Sequence, residues 1–143
     1  MSALEVGQVI ATTTYALSRD TLVRYAGASG DFNPIHYRDD VAASVGLPGV
    51  LAHGMLTMGT AVQPVVDWLE GSGDDSGVLG WVSSYQVKFT RPIVVDPVEG
   101  AEISVVATIA DLDDEARTAR VDLTVTHAEK TVLGRAQVVV TLA

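Results

Sequence analysis

Residues 53–69 (His-Gly-Met-Leu-Thr-Met-Gly-Thr-Ala-Val-Gln-Pro-Val-Val-Asp-Trp-Leu) are apolar on nearly every helical face, and from Val78 onward the pattern changes to a period of two. A helix that is apolar all round is read as a buried one, and about seventeen residues give it a length of ~25 Å. Pro64 is expected to kink it, or to end its first segment at the preceding residue. Met55 and Met58 read as core filler. In residues 81–90 one face carries Trp81, Ser83, Tyr85, Val87 and Phe89, before Arg91-Pro92 breaks the ladder. Further strands over about 101–110, 117–127 and 131–142 set Ile103, Val105, Ala107 and Ile109, then Val121, Leu123 and Val125, then Val132, Ala136, Val138 and Val140 on one face each. Gly134 marks a bulge or the close approach of a helix. A long apolar helix preceding an antiparallel meander with one apolar face is satisfied when the sheet curls around the helix, an α+β hot-dog arrangement.

The N-terminal third supplies the remaining elements. Residues 6–17 read as a strand with Val9, Ala11, Tyr15 and Leu17 on one face. Ser18 is placed to cap a helix over 19–28, with Asp20 in its first turn and Leu22, Val23 and Ala26 as its apolar stripe. A short helix over 38–45 closes at Gly46. Residues 71–77 (Gly-Ser-Gly-Asp-Asp-Ser-Gly) read as an acidic linker, since two aspartates repel the phosphate that a glycine loop would cradle. At 143 residues the chain is expected to form one domain, 1–143.

Composition narrows the function. The absence of cysteine rules out disulfides, thiol nucleophiles and thiolate metal sites. The N-terminus has neither a basic start nor an apolar core, and no apolar run reaches ~18 residues, so a soluble, cytoplasmic protein is expected, with no membrane partner. Nine basic residues stand against eighteen acidic ones, for a formal charge of −9. That balance argues against nucleic acid, and any anionic ligand must find a local basic patch.

Chemistry-bearing residues concentrate in residues 25–36 (Tyr-Ala-Gly-Ala-Ser-Gly-Asp-Phe-Asn-Pro-Ile-His). Asp31 and His36 are a carboxylate and an imidazole five residues apart. Pro34 fixes its own φ and pushes Asn33 out of the α region, so the intervening chain is expected to be a rigid, extended turn. The alternative is an Asx-type turn at Asp31 and Asn33 with His36 on the surface. Asp31, His36, Asp39 and Asp40 are a poor metal set, because hard metals want several convergent oxygens and zinc wants more histidine or cysteine, so no metal is expected.

The order Ser-Gly-Asp-Phe-Asn-Pro-Ile-His, followed by Ala52-His53-Gly54-Met55-Leu56 at the head of the apolar helix, resembles the MaoC-like hydratase/dehydratase family of hot-dog proteins. More narrowly, it is similar to the catalytic beta subunit of mycobacterial-type 3-hydroxyacyl-acyl-carrier-protein dehydratases. The resemblance implies a lyase that needs no cofactor and interconverts (R)-3-hydroxyacyl and trans-2-enoyl thioesters by syn loss or addition of water, as in type II fatty acid synthesis. It implies catalytic roles for Asp31 and His36, an oxyanion donor in the backbone N–H of Gly54, and a supporting role for Asn33. It also implies an acyl thioester substrate on CoA or acyl-carrier protein and a homodimer, or a heterodimer with a second hot-dog subunit. Imidazole 36 and carboxylate 31 should then converge, across a subunit boundary, on the amide of Gly54. Lys88 and Arg91 are the expected contacts for the phosphate of CoA or of the carrier. His53 is read as structural. Some family members carry a serine near the catalytic histidine where this chain has Gly59, a gap that Thr57 or Thr60 is placed to fill. Two other readings are an (R)-specific enoyl-CoA hydratase of CoA-linked metabolism and a non-catalytic hot-dog scaffold, the second disfavoured because a scaffold has no need of Asp31, Asn33, His36 and Gly54 together.

Overall fold

The computed structural model describes residues 4–71 and 78–143, so the acidic linker expected over 71–77 lies, beyond Gly71, outside the described residues. In chain order come β1 (Val9–Leu17), α1 (Arg19–Ser29), a single 3-10 turn (Pro34–His36), α2 (Asp39–Ser44), α3 (Gly54–Glu70), β2 (Gly80–Phe89), β3 (Ala101–Asp113), β4 (Thr118–His127) and β5 (Lys130–Leu142). Every strand pairing is antiparallel, in the order β1-β3-β4-β5-β2. The meander is therefore confined to β3, β4 and β5, whereas β2 crosses to the far edge beside β5. α3 touches β1, β2, β3 and β4, including both edge strands, which means that the sheet wraps around it. This is the hot-dog fold.

The core lies between α3 and the concave face of the sheet. Ile103, Val105, Ala107, Val121, Val125, Val138 and Val140 are completely buried from the sheet side, and Ala61 and Val65 from α3. Each buried branched side chain stabilises the fold by about 1.5–3 kcal/mol relative to an exposed one. The inward sets expected for β3, β4 and β5 are those observed. β2 departs from its expected face. A bulge between Val82 and Ser84 shifts its register against β5, so Val82, Tyr85 and Val87 pack on the core while Trp81 and Phe89 stay more than half exposed. One inserted residue reverses which side chains face inward, and alternation alone does not reveal it.

α3 is less enclosed than an all-apolar helix should be. Met55 is 59% exposed and so is not core filler, while Thr57, Ala61, Pro64, Val65 and Leu69 form the buried stripe. Pro64 does not end the helix, which runs without interruption from Gly54 to Glu70. α1 begins as expected: Ser18 accepts from the Thr21 amide while the Thr21 hydroxyl receives the Ser18 amide, a reciprocal cap. Among the described residues no helix is long and apolar enough to cross a membrane.

Candidate active site

The segment between α1 and α3 is pinned from both ends. Arg19, at the head of α1, donates its Nε–H to the Val95 carbonyl at 2.6 Å and holds the Asp39 carboxylate at the head of α2 at 2.8 Å. The guanidinium hydrogen bond holds the Asp39 carboxyl below its ordinary pKa. Gly30 ends α1 in the left-handed conformation, its amide bonded to Ala26. The chain then folds as a succession of Asx turns: the Asn33 amide donates to Asp31 Oδ1 at 3.2 Å, and the Ile35 amide donates to Asn33 Oδ1 at 3.3 Å. Pro34 opens a 3-10 turn where an extended segment was expected, because its fixed φ suits a first helical position. Asn33 thus supports Asp31 through its backbone N–H, while its side chain builds the turn.

His36 is buried, not a surface residue. Its Nδ1 lies 2.7 Å from the Leu51 carbonyl, which can only accept, so Nδ1 carries a proton and, whenever the ring is neutral, Nε2 is the bare nitrogen. The Leu51 amide donates in turn to the Ile35 carbonyl at 3.1 Å, closing a two-bond clamp on the turn. Nε2 faces Asp31 Oδ2 across 3.9 Å, and the carboxylate is half exposed. That separation is too long for a direct hydrogen bond and suits a water or substrate hydroxyl touching both groups.

Beneath this pair lies His53. It is 1% exposed, its ring stacks on His36 with centroids 3.8 Å apart and planes at 21°, and Tyr25 meets it edge-on at 4.7 Å. His53 Nε2 donates to the Asp31 carbonyl at 3.2 Å, leaving Nδ1 buried and without a partner. Burial pushes the His53 pKa down and the neighbouring His36 adds to this, against the pull of Asp31. His53 therefore touches both residues, the ring of His36 and the backbone of Asp31. Asp31, His36 and His53 are assembled within one chain, whereas the cleft that contains Gly54 has neither Asp31 nor His36 in its lining. Their ligand-type atoms lie within 4.8 Å of one another, but stacked imidazoles aim their in-plane lone pairs side by side instead of at one ion. Asp39 and Asp40 are engaged by Arg19 and Arg38.

Gly54 follows His53 directly and opens α3. No side chain caps the helix, so its first-turn amides, at the positive end of the dipole, are left for a ligand. Gly54 is exposed and lines a cleft of about 250 Å³ with Ala52, Thr57, Phe89, Arg91 and Leu133. A Cβ at position 54 would sit 3.1 Å from the Phe89 ring. Arg91 is thereby brought to the site, its Nη1 donating to the Thr131 carbonyl at 2.8 Å; Lys88 is exposed nearby on β2 but does not line the cleft. On the other side of α3 a second cleft of about 260 Å³ is lined by Tyr15, Tyr25, Met55, Leu56, Gly59 and Thr60. The Thr57 hydroxyl turns back to the His53 carbonyl at 3.4 Å. Neither threonine orients His36 by a hydrogen bond. The Leu51 carbonyl does, a backbone role that no side-chain motif could have announced.

The family model described as MaoC like domain matches residues 2–131. The chain belongs to this family. Over 81 residues, 57% of the chain, it is 31% identical to 3-hydroxyacyl-thioester dehydratase X of Mycobacterium tuberculosis, covering 25% of that protein. The curated relatives it matches are much longer, and the chain spans between 3% and 25% of their lengths. Among solved structures, a MaoC-like dehydratase superposes with a TM-score of 0.86 at 38% identity, over 98% of this chain and 41% of that one. A subunit of the ChsH1-ChsH2 complex from Mycobacterium tuberculosis superposes with a TM-score of 0.80 over 100% of both chains at 17% identity, a likeness of fold.

Proposed function

We propose that the chain is a hydro-lyase that interconverts (R)-3-hydroxyacyl and trans-2-enoyl thioesters by syn elimination and addition of water. The observation that carries this reading is the pairing of an imidazole nitrogen with a carboxylate oxygen at 3.9 Å; the uncapped amide of Gly54 is read as meeting such a pair across a subunit boundary. In the dehydration direction His36 Nε2 takes the α-proton, while Asp31 holds the departing hydroxyl. Both groups lie on one side of the substrate, which makes the loss syn. Removal of the α-proton leaves charge on the thioester oxygen, and the Gly54 N–H at the helix head stabilises it without reorganising. The protonated His36 then gives this proton to the departing hydroxyl held by Asp31, which leaves as water, so the imidazole is restored and no redox partner is consumed.

The substrate is read as an acyl thioester on CoA or on acyl-carrier protein, with Arg91 and Lys88 as the cations that meet its phosphate. The assembly is read as a homodimer or a heterodimer with a second hot-dog subunit. The outer edge of β2, which pairs only with β5, and its exposed Trp81 and Phe89 support a partner at that strand, and the ChsH1-ChsH2 neighbour is itself one half of a two-subunit complex.

The test is incubation of the purified chain with crotonyl-CoA and chiral analysis of the product. Formation of (R)-3-hydroxybutyryl-CoA, and its dehydration on reversal, is the expected result. Exclusive formation of the (S) product, or thiol release without hydration, would overturn the assignment.

A further inference from the structure

His36 and His53 lie face to face, with centroids 3.8 Å apart and planes at 21°, and the fold treats their nitrogens in opposite ways. His36 Nδ1 meets the Leu51 carbonyl at 2.7 Å, whereas His53 uses Nε2 to meet the Asp31 carbonyl at 3.2 Å. A carbonyl only accepts, so each of these nitrogens carries a proton, and the two rings, when neutral, are held in opposite tautomers.

The remaining nitrogens have unlike surroundings. A proton arriving at His36 Nε2 faces the Asp31 carboxylate, 3.9 Å away. A proton arriving at His53 Nδ1 would become a buried N–H with no acceptor, since that atom has no partner among the described residues. The other titratable group against the stack is Tyr25 of α1, whose ring meets His53 edge-on at 4.7 Å and does not serve Nδ1. Burial lowers the His53 pKa against the pull of its bond to the Asp31 carbonyl, and the neighbouring His36 lowers it further. One ring of the stack is therefore built to charge and the other to stay neutral. When His36 takes up the α-proton, the resulting cation lies against the π face of an uncharged ring, which attracts it; a second charged imidazole in the same place would repel it.

We infer that His53 is a positioning residue for the dehydration: a neutral ring of fixed tautomer that backs His36, supports its charged form and leaves it the one base of the pair. This rests on the hydro-lyase reading above and goes beyond the structural role that the sequence suggests for His53.

Two measurements test it. The first needs no turnover: long-range ¹H–¹⁵N correlation of the histidine rings of the wild type, followed from pH 8 downward, with His127 at the end of β4 as a ring outside the stack. His36 is expected to show Nδ1–H and His53 Nε2–H, and His53 Nδ1 should still be bare when the His36 signals move. The same tautomer in both rings, or proton uptake by His53 ahead of His36, would overturn the inference. The second is crotonyl-CoA hydration by His53→Phe, which keeps a flat ring without the donor, by His53→Gln, which keeps a donor without the ring, and by His53→Leu, which keeps neither. In variants shown by circular dichroism to be folded, kcat should be highest for Phe and roughly fivefold lower for Gln and Leu, the scale of one desolvated cation–π contact, with KM within about twofold throughout. A Phe variant as slow as Leu, or a Gln variant faster than Phe, would overturn it. Where a variant does not fold, the titration of the wild type decides. Failure of the wild type to hydrate crotonyl-CoA counts against the catalytic reading alone, and the titration still tests the stack.

Discussion

Among single residues, the site depends on two backbone oxygens and one buried ring. The Leu51 carbonyl decides the tautomer of His36, and His53 supports both dyad members from below. Because burial lowers the His53 pKa, the unfolded chain takes up this proton first as pH falls. Its contribution to stability is complete above about pH 6.5 and declines below that toward the folded-state pKa. His53→Phe keeps a flat ring and removes the proton, so urea unfolding between pH 7 and 5 should show a shallower loss of stability in the variant; identical slopes would contradict the role given to burial. A second prediction concerns Gly54. A methyl group there meets only the edge of a half-exposed Phe89 ring, so Gly54→Ala should change stability by less than about 1 kcal/mol. It should lower kcat/KM roughly tenfold or more by displacing the thioester, measured by paired denaturation and hydration assays. Asp31, Asn33, His36 and Gly54 are legible in the sequence because their side chains, or the lack of one, have few structural reasons to occur together. Leu51 is not, since a carbonyl acceptor leaves no trace in residue identity.

Among the elements, α3 connects core and chemistry: its buried stripe fixes the height of the amide at its head. Ala61 is completely buried against the sheet, and Ala61→Leu should lift the helix, costing about 1–3 kcal/mol and lowering turnover with it. Thermal denaturation and activity of the variant check this, and full stability with lost activity would contradict the coupling. The helix and β3, β4 and β5 are readable because period and composition agree along their whole lengths. The faces of β2 are not, because the bulge near Ser83 has no residue signature. Met55 is ambiguous for another reason: an apolar residue looks alike in a core and in the wall of a cleft. Pro64 is tolerated inside α3 although its ring removes a helical hydrogen bond, and as a buried residue it packs in the stripe.

In the molecule as a whole, Arg19 and Asp39 tie the heads of α1 and α2, and the turn after α1 packs on His53 at the N-terminus of the central helix, so Asp31 and His36 sit there. Local periodicity supplies the strands but not their order, since the crossing of β2 to the edge beside β5 is a long-range pairing. That crossing brings Phe89, Arg91 and Leu133 around Gly54 in a single cleft. The decisive measurement is the hydration rate of crotonyl-CoA by the wild type, Asp31→Asn and His36→Ala, each shown by circular dichroism to retain the fold. Each substitution is expected to lower the rate by roughly 10²-fold or more, the scale of a positioned acid or base. Near-normal turnover in both folded variants would contradict the assignment of the dyad.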